Sequence, residues 1–180
     1  MIGLLGGSFN PPTNSHLNIA KLVLRSVKDV NCVFLQPTYK HTFGKEKNYM
    51  KNRLEMIKSI EEYNIRLSTF EIDFKLDCGT YETLKKMNMV YKESEFIPII
   101  GSDCLFEFEK WKNYEKLAKE YKFIIIKRPG YDINKYDGIL KNNIILENND
   151  FTSSTEVRKK LANNEDISNL VPKSVLKHVI

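Results

Sequence analysis

The sequence predicts an α/β fold, a mostly parallel sheet with helices on both faces. Three observations predict it. Short apolar, β-branched runs alternate with stretches of helical periodicity, the pattern of successive βαβ units. Runs such as FIIIK (123–127) are apolar throughout, as strands covered on both faces tend to be. No internal repeat or low-complexity tract interrupts the 180 residues, so one domain over 1–180 is expected.

Residues 1–5 read as a short buried strand. A helix is expected over 14–27, where Leu17, Ala20, Leu24 and Val27 recur at i, i+3, i+7 and i+10. VNCVFLQ (30–36) is the next strand, followed by a loop to about Tyr49 and a helix through MKNRLEMIKSIEEY. IRLSTFEI (65–72) reads as a strand and 80–91 as a helix. EFIPIIG (95–101) and YKFIIIK (121–127) are further strands, flanking a short helix over 111–119. NIILE (143–147) is a sixth strand, and TEVRKKLANN opens a closing helix. The expected topology is Rossmann-like and doubly wound, with the ligand crevice at the carboxyl ends of the strands. The first turn, the 37–49 loop, Gly101-Ser102-Asp103 and Lys127-Arg128-Pro129-Gly130 all follow strands, so they should meet on one edge.

Composition narrows the partners. Lys and Arg number 28 against 23 Asp and Glu, a net +5 that suits phosphate-rich ligands but bears mainly on solubility. Cys32, Cys78 and Cys104 are odd in number, far apart and without a Cys-x-x-Cys pair, which points to a reducing cytoplasm. His16, His41 and His178 lack metal-ligand spacing, so no protein metal site is expected. No apolar run reaches the ~18–20 residues of a membrane span, and Met1-Ile2-Gly3 opens into a strand rather than a cleaved leader. Aromatics are not interleaved with Lys and Arg and no helix-turn-helix stands out, which disfavours a nucleic-acid-binding module. An oligomer is compatible with the sequence.

The first turn is neither Gly-x-Gly-x-x-Gly nor Gly-x-x-x-x-Gly-Lys. It reads GGSFNPPTNSH. Gly6 and Gly7 lack a Cβ, so the backbone there can adopt positive φ and let a ligand approach closely. His16 falls in the first turn of the helix, beside unpaired N–H groups and the positive dipole end, with the Thr13 hydroxyl three residues earlier. Spacing leaves two readings open: an imidazole facing a ligand, or one that caps the helix.

GGSFNPPTNSHL also resembles the Gly-Gly-Thr-Phe-Asp-Pro-x-His-x-Gly-His-Leu motif of the nucleotidyltransferase superfamily, most closely the nicotinate-nucleotide adenylyltransferase family. Thr13 stands where that family has its first histidine, and Ser15 replaces the glycine before the second. A threonine in the first position resembles phosphopantetheine adenylyltransferase, so this motif alone leaves the second substrate open. FIPIIGSDCLFEFEKWKNYEKL (96–117), KRPGY (127–131) and FTSSTEVRKKL followed by NLVPKSVLKHVI resemble later blocks of the nicotinate family, with His178 replacing a tyrosine in the tail. The ordered matches run from residue 2 to residue 180.

The resemblance implies an enzyme of NAD biosynthesis that moves AMP from ATP to nicotinate mononucleotide, or to nicotinamide mononucleotide, with Mg2+ carried by ATP. It implies that His16, Thr13 and Arg158 are catalytic. Gly7, Ser8, Phe9, Gly101 and Asp103 would meet ATP, as would Ser153, Ser154 and Thr155. Thr80, Trp111 and Arg128 would meet the mononucleotide, and Lys40, His41 and Lys45 are candidates for its phosphate. Gly79 stands where the family has a tyrosine beside that threonine. Plainer readings stand beside these. Asp103 can cap the next helix, and Ser153 with Glu156 forms a capping box. Trp111 can pack on the core from an amphipathic helix, and Lys40 and Lys45 can be surface charges. Arg158 near a helix N-terminus is unfavourable unless it meets a negative group, which a triphosphate supplies.

Overall fold

The apolar runs become strands with side chains alternating between two layers. A computed structural model describes residues 1–39, 47–136 and 143–179. Its strands are β1 (Ile2–Gly7), β2 (Cys32–Pro37), β3 (Ile65–Leu67), β4 (Phe96–Gly101), β5 (Ile124–Lys127) and β6 (Ile144–Glu147). They pair in the order β3-β2-β1-β4-β5-β6. Every pairing is parallel, so the sheet is wholly rather than mostly parallel among the described residues.

Period-2 alternation divides the core. Leu5, Val33, Leu35, Ile97, Ile99, Ile124 and Ile126 face one layer, whereas Leu4, Phe96, Ile100 and Ile125 face the other. The first layer is closed by α1 (Asn14–Ser26), α2 (Lys47–Lys58), α7 (Ser154–Ala162) and α8 (Lys173–Val179), through side chains including Val23, Ile57, Val157 and Val175. The second is closed by α3 (Phe70–Asp73), α4 (Thr80–Val90), α5 (Ser102–Leu105) and α6 (Tyr114–Glu120), through Phe70, Leu84, Leu105 and Leu117. Helices on both faces force the strands to be apolar on both faces, which is why runs such as FIIIK carry no polar alternation.

Three expected boundaries move for local reasons. The run 65–72 is a strand only to Leu67. Past Ser68 the chain turns into α3, where the Ile72 and Asp73 amides donate to the Thr69 carbonyl and the Thr69 hydroxyl to the Asp73 carboxylate (2.6 Å). The helix through MKNRLEMIKSIEEY ends at Lys58, where the Ser59 hydroxyl donates to the Met56 carbonyl (2.7 Å) and competes with the next helical bond. Trp111 does not lie on a helix. It follows a 3₁₀ turn, Phe108–Lys110, and α6 starts only after Asn113 at φ +60.

On α4, Leu84 is fully buried while Met89 is 67% exposed. Leu84→Ala is expected to lower stability by about 2–5 kcal/mol and Met89→Ala by less than about 0.5 kcal/mol. Chemical denaturation checks this, and equal effects would contradict the assigned core face.

Candidate functional site

Strand order reverses between β2 and β4, which both pair with β1, and connections leave β1 and β4 toward opposite faces of the sheet. A cavity of about 290 Å³ opens at this point, on the carboxyl edge. It is lined by Gly6 and Gly7 from β1, His16 from α1, Gly101 and Asp103 after β4, Arg128 after β5, and Thr80 and Trp111. Seven residues expected to bind one substrate or the other thus meet there: Gly7, His16, Thr80, Gly101, Asp103, Trp111 and Arg128. Lys40, His41 and Lys45 lie outside the described residues.

The glycine turn works differently from expectation. Neither Gly6 nor Gly7 takes positive φ; both remain in β1, opposite Gln36 and Pro37. Phe9 takes the left-handed conformation instead, at φ +48. That backbone costs a non-glycine residue on the order of 1–2 kcal/mol. Phe9 is fully buried, and its ring lies 4.9 Å from that of His16. At Gly6 a Cβ would project into open space, so its absence keeps that space free, whereas at Gly7 a Cβ would meet the Phe9 ring at 3.4 Å.

His16 caps the helix and also lines the cavity. Its Nδ1 accepts from the Thr13 backbone N–H (3.0 Å) and lies 2.7 Å from the Thr13 hydroxyl. An amide N–H can only donate, so Nδ1 must accept and the ring proton belongs on Nε2. Nδ1 therefore caps the helix, leaving Nε2–H for the cavity that His16 lines. Burial chiefly, and then the Arg128 charge, lowers its pKa from 6.5 to about 4; Asp150 acts the other way. The imidazole is thus a neutral donor near pH 7.

The residues around His16 are pinned by α7 and the chain before it. Thr13 is fully buried with its hydroxyl oxygen 3.2 Å from the Thr152 carbonyl oxygen, and the Ser15 hydroxyl donates to the Asp150 carbonyl (2.7 Å). The Cβ that distinguishes Ser15 from glycine carries a hydroxyl that binds the 150–152 segment. Ser154 donates to the Pro11 carbonyl (2.8 Å), and Arg158 donates to the Asn10 carbonyl (2.8 Å) and to Thr155 Oγ1 (3.0 Å). Ser153 accepts from the Glu156 amide (3.1 Å), the cap read from the sequence. The expected ATP residues of α7 therefore bond the turn that carries Asn10 and Pro11.

Across the cavity, Asp103 Oδ1 lies 3.3 Å from Arg128 Nε. These two residues, assigned by resemblance to different substrates, form one pair. Gly101 is required beneath them, because a Cβ there would collide with the Asp103 carboxylate and come within 3.0 Å of Arg128 Nε. Trp111 packs at a tilt against Phe108 (ring centroids 5.4 Å apart) and lines the cavity. Thr80 opens α4 after Gly79, whose φ of +83 explains why a tyrosine does not stand there. A second cavity of about 230 Å³, lined by Lys127 to Tyr131 and by Glu147, Asn148, Asn149 and Phe151, shares Arg128 with the first.

Two side chains in and beside the site escaped the sequence reading. Arg53, 1% exposed, donates to the carbonyls of Ser8 (3.4 Å) and Thr38 (2.7 Å), joining the turns after β1 and β2. A signal for it existed, for Arg53 shares a helix face with buried Met56, Ile57 and Ile60 at i, i+3, i+4 and i+7. Glu71 on α3 also lines the cavity. Burial pushes its carboxyl up, against the Tyr39 amide, the Thr83 hydroxyl and the Arg53 charge.

Because the unfolded chain titrates His16 near 6.5 and the folded one near 4, the unfolded state binds the extra proton between those values. Acidification through that window therefore favours unfolding. In histidine-labelled protein, NMR is expected to show His16 as the neutral Nε2–H tautomer down to about pH 5; an imidazolium at pH 6.5 would contradict the assignment.

Comparisons with known proteins agree with this fold. Residues 4–160 match the cytidylyltransferase-like family model. A Fusobacterium nucleatum protein named "Probable nicotinate-nucleotide adenylyltransferase" is 37% identical, covering 98% of this chain and 95% of its own. One of the same name from Clostridium tetani is 32% identical, covering 94% and 90%. The Plasmodium falciparum nicotinic acid mononucleotide adenylyltransferase complexed with NaAD shares the fold, with a TM-score of 0.83 at 21% identity over 99% of this chain and 93% of that one. A sheet reversed at β1, a glycine edge backed by a capped imidazole, and full-length similarity converge: the chain belongs to the nicotinate-nucleotide adenylyltransferase family of cytidylyltransferase-like proteins.

Proposed function

We propose that this protein joins ATP to nicotinate mononucleotide. The phosphate oxygen of the mononucleotide attacks the α-phosphorus of ATP, the bond to the β-phosphate breaks, and the dinucleotide and pyrophosphate leave. The observation that carries the reading is the position of His16. It presents a neutral, fixed N–H donor at the reversal point of a chain similar over its full length to nicotinate-nucleotide adenylyltransferases.

The attacking oxygen is already anionic, so the reaction needs no general base. What opposes it is repulsion between two polyanions and the charge that develops on the transferring group. His16 Nε2–H would meet that charge without reorganising, because Thr13 fixes the ring. Arg158 and the first turn of α7 would face the leaving phosphates, where a helix N-terminus favours anions. Gly7, Ser8 and Phe9 would shape the floor beneath the α-phosphate, and Gly101 and Asp103 would meet the ATP nucleoside. Trp111 and Thr80 would hold the pyridine ring, and Arg128, which lines both cavities, would lie between the two nucleotides. Lys40 and Lys45, in the sequence between β2 and α2, would bind the incoming phosphate.

Among the described residues no three His, Cys, Asp or Glu side chains converge as a metal cage. Both cavity carboxylates are engaged, Asp103 by Arg128 and Glu71 by Tyr39 and Thr83. This donor set fits Mg2+ arriving on the ATP phosphates, which it would partly neutralise. None of the described helices is long and apolar enough to cross a membrane. The three cysteines are free, in keeping with a reducing cytoplasm. Substrates are nucleotides in this reading, with no nucleic-acid partner, and an oligomer is compatible with it.

Product identification tests the proposal. Incubation with ATP, Mg2+ and nicotinate mononucleotide, nicotinamide mononucleotide or phosphopantetheine is expected to give the dinucleotide from nicotinate mononucleotide. Product from phosphopantetheine alone would contradict it. His16→Ala is expected to lower kcat by about 10²–10³ while leaving the fold intact; near-full turnover would remove His16 from its role.

A further inference from the structure

Glu71 has no place in the mechanism above, yet its carboxylate lines a cavity meant for polyanions, where charge alone opposes it. Its bonding gives it another task. Oε2 accepts from the Tyr39 backbone N–H and Oε1 from the Thr83 hydroxyl, each at 3.2 Å. Tyr39 is the last described residue after β2, at the start of the segment carrying Lys40 and Lys45. Thr83 lies one helical turn beyond Thr80 on α4, and both threonines line the cavity. The two elements joined this way both border the cavity, through Thr38 at the exit of β2 and through Thr80 and Thr83 on α4.

α3 is itself anchored. Phe70 is buried, with its ring 4.6 Å from that of Phe74 and 6.0 Å from that of Tyr91. Before it, Ser68 donates to Gln36 Oε1 (2.6 Å) on β2. Glu71 thus reaches the cavity from a short helix fixed to both the sheet and the second core layer.

We propose that Glu71 is a positioning residue that clamps the exit of β2 to the first turns of α4, setting the width of the mononucleotide subsite. The identity of the ligand rests on the adenylyltransferase reading; the clamp does not. A clamp depends on length and hydrogen bonding rather than on charge. Glutamine keeps both bonds, its carbonyl accepting from Tyr39 and its amide donating to the Thr83 oxygen, whereas alanine loses both.

The test compares full-length wild type, Glu71→Gln and Glu71→Ala. Alanine is expected to raise KM for the mononucleotide about tenfold or more with KM for ATP within about twofold, and glutamine to stay within about threefold of wild type. Equal impairment of both variants, or a rise in both KM values, overturns the clamp. Hydrogen exchange at the Tyr39 amide gives a readout independent of activity: faster in Glu71→Ala, unchanged in Glu71→Gln. If wild type turned over no pyridine mononucleotide, the functional reading would fail while this exchange pattern still decided the clamp; equal exchange in all three proteins overturns it. Should Glu71→Ala fail to fold, Thr83→Val removes one of the two bonds at similar shape. It is expected to raise the mononucleotide KM about fivefold without changing that for ATP, and an unchanged KM overturns the proposal.

Discussion

The site depends on one constraint, the reversal of strand order at β1. Because β2 and β4 both pair with β1 in parallel, the chain must leave β1 and β4 toward opposite faces of the sheet. In a parallel sheet covered on both sides, the gap this leaves at the carboxyl edge is where ligands are generally received. Thr38, Asp103 and Arg128 reach the cavity because they follow strands, and His16 and Thr80 because they lie in the first turns of helices.

Placing such groups is not the same as fixing them. The turn that carries His16 is held from behind by bonds from the 150–158 segment, far away in the chain: Ser15 to the Asp150 carbonyl and Arg158 to Asn10. Arg53 ties the neighbouring turns in the same manner, with a buried guanidinium donating to two carbonyls. These bonds remove freedom from groups that would otherwise have to be ordered during the reaction, which is how preorganised donors gain their effect. They also account for Thr13 and Ser15, the two departures from the family motif. Thr13 orients the remaining imidazole and Ser15 fastens its helix to α7's entry.

The architecture was legible because burial on both faces leaves uniform apolar runs. Strand ends were less so. Phe70 and Ile72 extend an alternating pattern that mimics a strand, and only the Thr69–Asp73 bonds reveal a turn of helix. The glycine turn and the α7 entry were readable as candidate site segments because glycines, hydroxyls and an imidazole cluster within short stretches. Glu71 was not, since its partners are 32 and 12 residues away and one of them is a backbone amide. The pairing of Asp103 with Arg128 was hidden for the same reason, as each follows a different strand.

The central claim is that a neutral imidazole, fixed by Thr13 at the reversal point, meets the reacting phosphate through Nε2. A crystal structure with a nonhydrolysable ATP analogue and nicotinate mononucleotide tests it most directly. The account predicts an α-phosphate oxygen about 3 Å from His16 Nε2, with the pyridine ring beside Trp111. Both ligands bound at saturation with that nitrogen turned away, or with the carboxyl edge of β1 and β4 empty, would contradict it.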